Sequence, residues 1–129
     1  MGTLTILVLK GPYSSRHSEF ACEIAEEALN KGQRVNMMFY MDGVHVPKKG
    51  QDPALFPNVS EALARLIERG ADARCCVRAA KDRGYVKGGM PDESGVFPTD
   101  EYIDGARVTT IEELGPFVKE SDKVIALNV

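Results

Sequence analysis

The chain has 129 residues, of which 43% are hydrophobic and 27% are charged, with no tryptophan. This composition is typical of an ordinary globular domain that can bury a core without metal or disulfide staples. A formal net charge of −3 provides no basic surface for nucleic acid. The longest apolar run near the N-terminus, residues 4–9, is too short to span a bilayer and lacks the preceding Lys or Arg of a signal peptide. Three cysteines in no disulfide pattern predict a reduced, cytoplasmic protein.

The first third of the chain has the pattern of a strand, a helix and a second strand. Residues 3–9 are dense in β-branched and aliphatic side chains with little alternation, as expected for a strand buried on both faces. In the turn that follows, serines are well placed to cap a helix over residues 18–31, where apolar residues recur at helical spacing until Gly32. Residues 34–41 then predict the second strand.

The middle of the chain repeats this alternation after a proline-rich loop. Asn58 followed by Glu61 resembles a capping box, and it precedes an apolar stripe that predicts a helix over residues 59–69. Residues 71–77 form a third strand candidate. Residues 77–83 predict a short helix that ends before a glycine.

The last third begins with a loop and ends in a strand. Residues 87–105 are rich in Gly, Pro and Asp, which predicts irregular structure. The threonines at 109–110 precede two glutamates in a capping pattern, and Gly115-Pro116 is expected to divide the helical element that follows. Residues 123–129 predict a final strand. Strands that alternate with helical stripes predict an α/β domain with a mostly parallel sheet and helices on both faces.

Two adjacent cysteines stand at the junction of the third strand and the helix after it. Because neighbours on a strand point to opposite faces, Cys75 is predicted to face a helix layer and Cys76 to lie at an exposed junction where the helix begins. Backbone N–H groups and the helix dipole would favour a thiolate at Cys76, and Arg74, Arg78 and Lys81 lie close in sequence. The alternative is that each cysteine is a core residue, as free cysteine commonly is.

The arrangement of cysteines and histidines argues against a metal ion or a redox pair. A zinc site prefers spaced ligands such as CxxC pairs, and His17 and His45 are the only histidines. A disulfide between Cys75 and Cys76 would close a strained small ring. Cys22 lies beside the apolar stripe of the first helix and is interpreted as structural. We therefore expect neither a metal nor a cofactor.

Two loops are expected to meet the cysteine junction, since ligands of parallel α/β sheets bind beyond the carboxyl ends of the strands. These loops are residues 10–17 and 42–51. They and the adjoining segments supply the candidate pocket residues Tyr13, His17, Tyr40, Asp42, His45 and Arg78. The alternative for each is an ordinary turn, helix cap or strand end. A flavodoxin-like nucleotide site in residues 10–17 is a further alternative, although the loop matches neither G-x-G-x-x-G nor a Walker A motif.

Several segments resemble a known family. "CVRAAKDRG", which begins at Cys76, resembles the cysteine-to-Arg-Gly segment of DsrE-like proteins, including TusD-type sulfur-relay subunits. "KGPYSSRHSEFACEIAEEALNKG" is similar to the family's first loop and helix, "MFYMDGV" to its second strand and turn, and "SDKVIAL" to its final strand. The order is the same along nearly the whole chain, and residues 87–105 are the least covered.

The resemblance implies a single DsrE-like domain over residues 1–129 with a three-layer, Rossmann-like fold. It also implies a homo-oligomer, trimer or hexamer, and a sulfurtransferase or sulfur carrier. In such a protein Cys76 is the nucleophile that accepts sulfane sulfur as a persulfide and passes it to another thiol. Sulfur donor and acceptor proteins are then the expected partners, with no nucleic acid or membrane. The alternative is a non-catalytic small-ligand-binding or complex-forming subunit of the same fold.

A second hint of assembly comes from residues 85–103. This segment carries Tyr85, Val86, Met90, Phe97 and other apolar residues, yet it is too rich in Gly and Pro to be a regular core element. Its apolar groups are expected either to fold back on their own domain or to bury against a neighbouring chain.

Overall fold

The computed structural model describes residues 2–127, which form a parallel sheet with helices on both faces. The strands are β1 (Thr3–Val8), β2 (Arg34–Phe39), β3 (Asp72–Cys76), β4 (Arg107–Thr109) and β5 (Lys123–Leu127), in the spatial order β4-β3-β2-β1-β5. The helices are α1 (His17–Asn30), α2 (Val59–Glu68), α3 (Val77–Asp82) and α4 (Leu114–Glu120). Short 3-10 turns cover Met41–His45 and Ile111–Glu113. The predicted α/β fold with a parallel sheet is confirmed.

One face of the sheet carries the main apolar core. Leu4, Ile6 and Val8 of β1 are buried there with Ala21 and Ala25 of α1. The central strand β2 is buried along residues 35–39, because helices cover the sheet on both sides. No helix within residues 2–127 combines the length and apolar character needed to cross a membrane.

The opposite face, under α4, is held largely by polar contacts. Thr5 Oγ1 donates a hydrogen bond to the Phe117 carbonyl at 3.3 Å, and Asn36 Nδ2 donates one to Glu120 Oε1 at 2.8 Å. The Arg74 guanidinium lies 4.9 Å from the centre of the Phe117 ring. Because strand side chains alternate, Arg74 on this face places Cys76 on the same face and Cys75 on the core face.

The structure confirms one of the two helix caps predicted at the starts of α1 and α2. Asn58 Oδ1 accepts a hydrogen bond from the Glu61 backbone N–H at 3.2 Å, as the capping pattern predicts. At α1 the serine cap is wrong. Arg16 is the N-cap residue without a side-chain cap, and Ser15 Oγ instead accepts a hydrogen bond from the His17 N–H at 3.3 Å.

The C-terminal third differs most from the sequence-based prediction. Strand β4 is not predicted, because three residues are too few to show a period. Gly115 and Pro116 do not divide the helix, since α4 runs from Leu114 to Glu120. Pro116 is its third residue, where a helical N–H has no intrahelical acceptor to lose. The predicted last strand reaches residue 129, whereas β5 ends at Leu127 and residues 128–129 lie outside the described part of the chain.

Residues 85–103 fold back on their own domain, which is the first of the two expected outcomes. The Tyr102 hydroxyl donates a hydrogen bond to the Val44 carbonyl at 2.8 Å, and Thr99 Oγ1 donates one to the Tyr85 carbonyl at 2.6 Å. Among the large apolar side chains of this segment, Met90 stands out as exposed, at 83%. The segment therefore covers the core and does not present a broad apolar surface.

Candidate functional site

Cys76 is the last residue of β3 and also the N-cap residue of α3. Its backbone is extended, with φ −68° and ψ 125°, and its side chain forms no capping hydrogen bond. The predicted strand-to-helix junction is thus present, but the expected exposure is wrong, because only 2% of Cys76 is accessible to solvent. Cys76 belongs to the cluster of buried apolar residues, and Thr109 of β4 pairs opposite it.

A cavity of about 230 Å³ lies beside Cys76. The end of β2, the start of α3 and the turn after β4 form its walls. Its lining residues are Tyr40, Cys76, Val77, Arg78, Thr110, Ile111 and Glu112. The structure therefore brings Tyr40 and Arg78, two of the predicted pocket residues, together with Cys76.

Thr110, Ile111 and Glu112 are lining residues that sequence reasoning missed. They follow β4, which pairs with β3 so that Thr109 stands opposite Cys76. The capping pattern at residues 109–110 marks this segment as the start of a helical element, but only the pairing with β3 shows which residues it approaches.

Two oppositely charged side chains lie on the cavity wall. Arg78 is exposed on α3, and Glu112 is exposed on the turn after β4. Hydrogen bonding to the Thr110 side chain, then to the Glu112 backbone N–H and, most weakly, the positive charge of Arg78 hold the pKa of Glu112 below its usual range. The carboxylate is therefore ionised at neutral pH, opposite a guanidinium that is always charged.

The other two basic residues near Cys76 have different roles. Arg74 forms ion pairs with Asp72 at 3.1 Å and with Glu113 at 3.2 Å. Its positive charge is therefore paired with these two carboxylates, and Arg74 does not line the cavity of Cys76. Lys81 lines a neighbouring cavity of about 210 Å³ that also includes Val77 and Arg78. Of the three basic residues singled out in the sequence, Arg78 is the one that lines the cavity containing Cys76.

Cys22 and Cys75 lie in the apolar core as free thiols. Burial raises the pKa of Cys22 to about 12. Burial and then the neighbouring Cys76 raise the pKa of the fully buried Cys75 well above its usual range. Both side chains are neutral thiols at physiological pH, which is the unreactive form.

Asp42 and His45 form a separate network beside this cavity. Arg83 Nη2 donates a hydrogen bond to Asp42 Oδ1 at 2.8 Å, and His45 Nδ1 lies 2.7 Å from the Tyr85 hydroxyl oxygen. Burial and then the charge of Arg83 lower the pKa of His45, so the imidazole is mainly neutral at pH 7. These contacts hold the turn after β2 against the end of α3, and neither residue lines the cavity of Cys76.

Tyr13 and His17 also lie outside the lining of the Cys76 cavity. The Tyr13 hydroxyl donates a hydrogen bond to Gln51 Oε1 at 2.5 Å, so the two predicted loops do meet. His17 begins α1, and its Nδ1 is buried with no hydrogen-bond partner among the described residues. Within residues 2–127, no group of three or more His, Cys, Asp or Glu side chains is placed to hold a metal ion.

Fold and site together define a class of small parallel α/β proteins with a cavity-lining cysteine at the carboxyl end of an inner strand. Within that class the chain belongs to the DsrE/DsrF-like family, whose sequence profile matches residues 3–127. The predicted family is thereby confirmed.

Known proteins similar to this chain agree with that assignment. An uncharacterized protein of Methanopyrus kandleri is 33% identical over 122 residues, which cover 95% of this chain and 91% of that protein. DsrE of Allochromatium vinosum, named as a candidate sulfurtransferase, is 34% identical over 91 residues, 67% of this chain and 68% of that one. The crystal structure of the E. coli YchN protein matches with a TM-score of 0.72 at 24% identity, over 98% of this chain and 100% of that chain.

Proposed function

We propose that the chain is a sulfurtransferase that carries sulfane sulfur as a persulfide on Cys76 and passes it to another thiol. The supporting observation is that Cys76 lines a cavity of about 230 Å³ at the carboxyl end of β3. Cys75 is instead fully enclosed in the core. Cys22 lines a smaller cavity of about 190 Å³ beside α1, and burial raises its pKa to about 12. The similarity to DsrE of Allochromatium vinosum supports the same class of activity.

The proposed transfer consists of two displacements at sulfur. The Cys76 thiolate attacks the outer sulfur of a donor persulfide, R–S–SH. A new S–S bond forms on Cys76, the S–S bond of the donor breaks, and the donor leaves as R–S⁻. A second thiolate then attacks the outer sulfur of the Cys76 persulfide, and Cys76 returns to its starting form. The atoms and electrons balance without an external oxidant.

The two adjacent cysteines differ in their capacity to hold the added sulfur. A persulfide on Cys76 extends into the cavity that its side chain already lines. A persulfide on Cys75 would add an atom among closely packed core side chains, and overpacking of this kind is destabilising. This difference favours Cys76 as the carrier and Cys75 as a structural residue.

A second candidate function is that of a non-catalytic subunit that binds a small ligand. The exposed fraction of Cys76, only 2%, favours this alternative, because a carrier must admit two thiols in turn. In this case Tyr40 and Arg78 would contact the ligand and Cys76 would only pack beneath it.

We also propose that the protein works as a homo-oligomer, a trimer or a hexamer, in the cytoplasm. Family membership supports the assembly. The free state of Cys22, Cys75 and Cys76 suits a reducing compartment. Proteins with reactive thiols are the proposed acceptors of sulfur at the second step.

The proposal is tested by loading the intact protein with inorganic polysulfide and measuring its mass. We expect a gain of one sulfur atom in the wild type, in Cys75→Ser and in Cys22→Ser, and no gain in Cys76→Ser. Thermal unfolding of each variant checks that it is folded. A folded Cys76→Ser protein that still gains sulfur would exclude Cys76 as the carrier and leave the ligand-binding alternative.

A further inference from the structure

The cavity beside Cys76 presents one positive and one negative side chain to any molecule that enters it. Arg78 and Glu112 both line the cavity and both are exposed. Among the described residues, neither forms an ion pair with another side chain. Both charges are therefore available to a ligand.

The size of the cavity limits what can occupy it. Its volume of about 230 Å³ is smaller than the roughly 300–1,000 Å³ of pockets for drug-sized ligands. Because only 2% of Cys76 is accessible to solvent, the outer sulfur of a donor must reach the thiol through this cavity. A donor of about the size of one amino acid meets both limits.

The charges select among donors of that size. A donor with only a carboxylate could pair with Arg78, and it would place its negative charge near Glu112. A donor with only an ammonium group could pair with Glu112, and it would place its positive charge near Arg78. A zwitterion pairs with both residues and leaves no like charges facing each other, which is electrostatic complementarity in its simplest form.

We propose, building on the persulfide-carrier function above, that the sulfur donor is a zwitterionic α-amino-acid persulfide of the size of cysteine persulfide. Its carboxylate binds Arg78 and its ammonium group binds Glu112. Its outer sulfur lies toward Cys76. Attack by the Cys76 thiolate forms the Cys76 persulfide, breaks the S–S bond of the donor, and releases the amino-acid thiolate, which takes a proton from water.

The first experiment compares three persulfide donors that differ only in charge. Cysteine persulfide has both charged groups, 3-mercaptopropionate persulfide lacks the ammonium group, and cysteamine persulfide lacks the carboxylate. We expect the concentration for half-maximal loading of Cys76 to be about tenfold lower for cysteine persulfide than for the other two donors. Equal concentrations for all three would overturn the inference.

Two variants assign the charges to their partners. Arg78→Gln should remove the preference for cysteine persulfide over cysteamine persulfide, and Glu112→Gln the preference over 3-mercaptopropionate persulfide. Lys81→Gln and Glu27→Gln are the matched controls, since they remove the same charges from α3 and α1 outside the lining of this cavity. Loss of the preference for cysteine persulfide in either control would contradict the assignment of the two charges to Arg78 and Glu112. Survival of that preference in both test variants would contradict it as well.

A second experiment detects the ligand without sulfur transfer. S-methylcysteine is a zwitterion that cannot donate sulfur, and we expect it to slow alkylation of Cys76 in the wild type but not in Arg78→Gln. If polysulfide loads Cys76 while S-methylcysteine gives no protection and the three donors load alike, the donor inference fails and the carrier function stands. If S-methylcysteine protects Cys76 but no donor loads it, the carrier function fails and the zwitterion site remains. If neither effect is seen, both proposals are wrong.

Discussion

Cys75 and Cys76 are neighbours in sequence, yet the strand period gives them opposite surroundings. Cys75 lies among core side chains between β2 and β4, where Phe39 and Val108 are its pairing partners. Cys76 lies on the face under α4 and lines a cavity. A difference of one position along β3 therefore separates an inert thiol from one that has room for chemistry.

This difference predicts the order in which the thiols react. With a limiting amount of iodoacetamide at about pH 8, we expect Cys76 to be alkylated before Cys22 and Cys75, because burial raises the pKa of the other two and keeps them protonated. Peptide mapping by mass spectrometry measures the order. Earlier labelling of Cys22 or Cys75 would contradict it.

Cys22 further predicts how stability depends on alkaline pH. The folded thiol, with a pKa raised from 9.0 to about 12, keeps a proton that the unfolded chain has released. The stabilisation is complete below the unfolded pKa and is lost as pH rises through the folded value, by at most about 1.4 kcal/mol per pH unit. In Cys22→Ala we expect the free energy of unfolding to fall less steeply above pH ~9 in urea titrations. A slope equal to that of the wild type would show that Cys22 does not titrate differently on unfolding.

At the scale of elements, the turn after β2 approaches the end of β1 closely. The Tyr40 N–H donates a hydrogen bond to the Val8 carbonyl at 3.0 Å, and Gly43 follows in the turn. A Cβ atom on Gly43 would lie 2.1 Å from the Val8 carbonyl oxygen. Only glycine permits this approach, which places the network of Asp42 and His45 next to the end of α3.

We therefore expect Gly43→Ala to lower the free energy of unfolding by about 1–3 kcal/mol or more. Gly115→Ala is the matched control. Gly115 lies within α4 with no atom within 4 Å of an added Cβ, so alanine there should stabilise the protein by up to about 1 kcal/mol. Chemical denaturation measures both effects. A neutral Gly43→Ala would mean that the turn can move away from β1 at little cost.

At the scale of the whole molecule, the edge of the sheet at β5 is less well covered than its centre. Val118 of α4 is 44% exposed and Val124 of β5 is 45% exposed. Val124 pairs with Thr5, so it lies on the face under α4. Both elements contact the same strand, β1, and we propose that this edge is the surface that a second copy of the chain buries.

We expect sedimentation equilibrium to give the mass of a trimer or a hexamer of the 14.1 kDa chain. Val124→Glu should reduce this mass, because it places a charge on the proposed contact surface. Leu55→Glu is the control, since Leu55 is 91% exposed in a loop after β2. A monomer in the wild type would refute the assembly, and a Leu55→Glu protein of reduced mass would place the contact elsewhere.

The sequence by itself determined the alternation of strands and helices, the cap at Asn58, the strand-to-helix junction at Cys76 and the family. These features depend on local periodicity, on one side-chain hydrogen bond or on a continuous motif, and each is visible within a short window of residues. Strand β4 is too short to carry such a pattern.

Tertiary structure alone decided the surroundings of Cys76. Pairing of β4 with β3 brings the turn that contains Glu112 to the cavity, and Cys76 is buried where an exposed junction is predicted. Tyr13 contacts Gln51 and His45 contacts Tyr85, and both lie outside the lining of this cavity. The physical reason is that Cys76 meets Thr109 and Glu112 from more than thirty positions away along the chain. Their proximity depends on strand order and register rather than on any local preference.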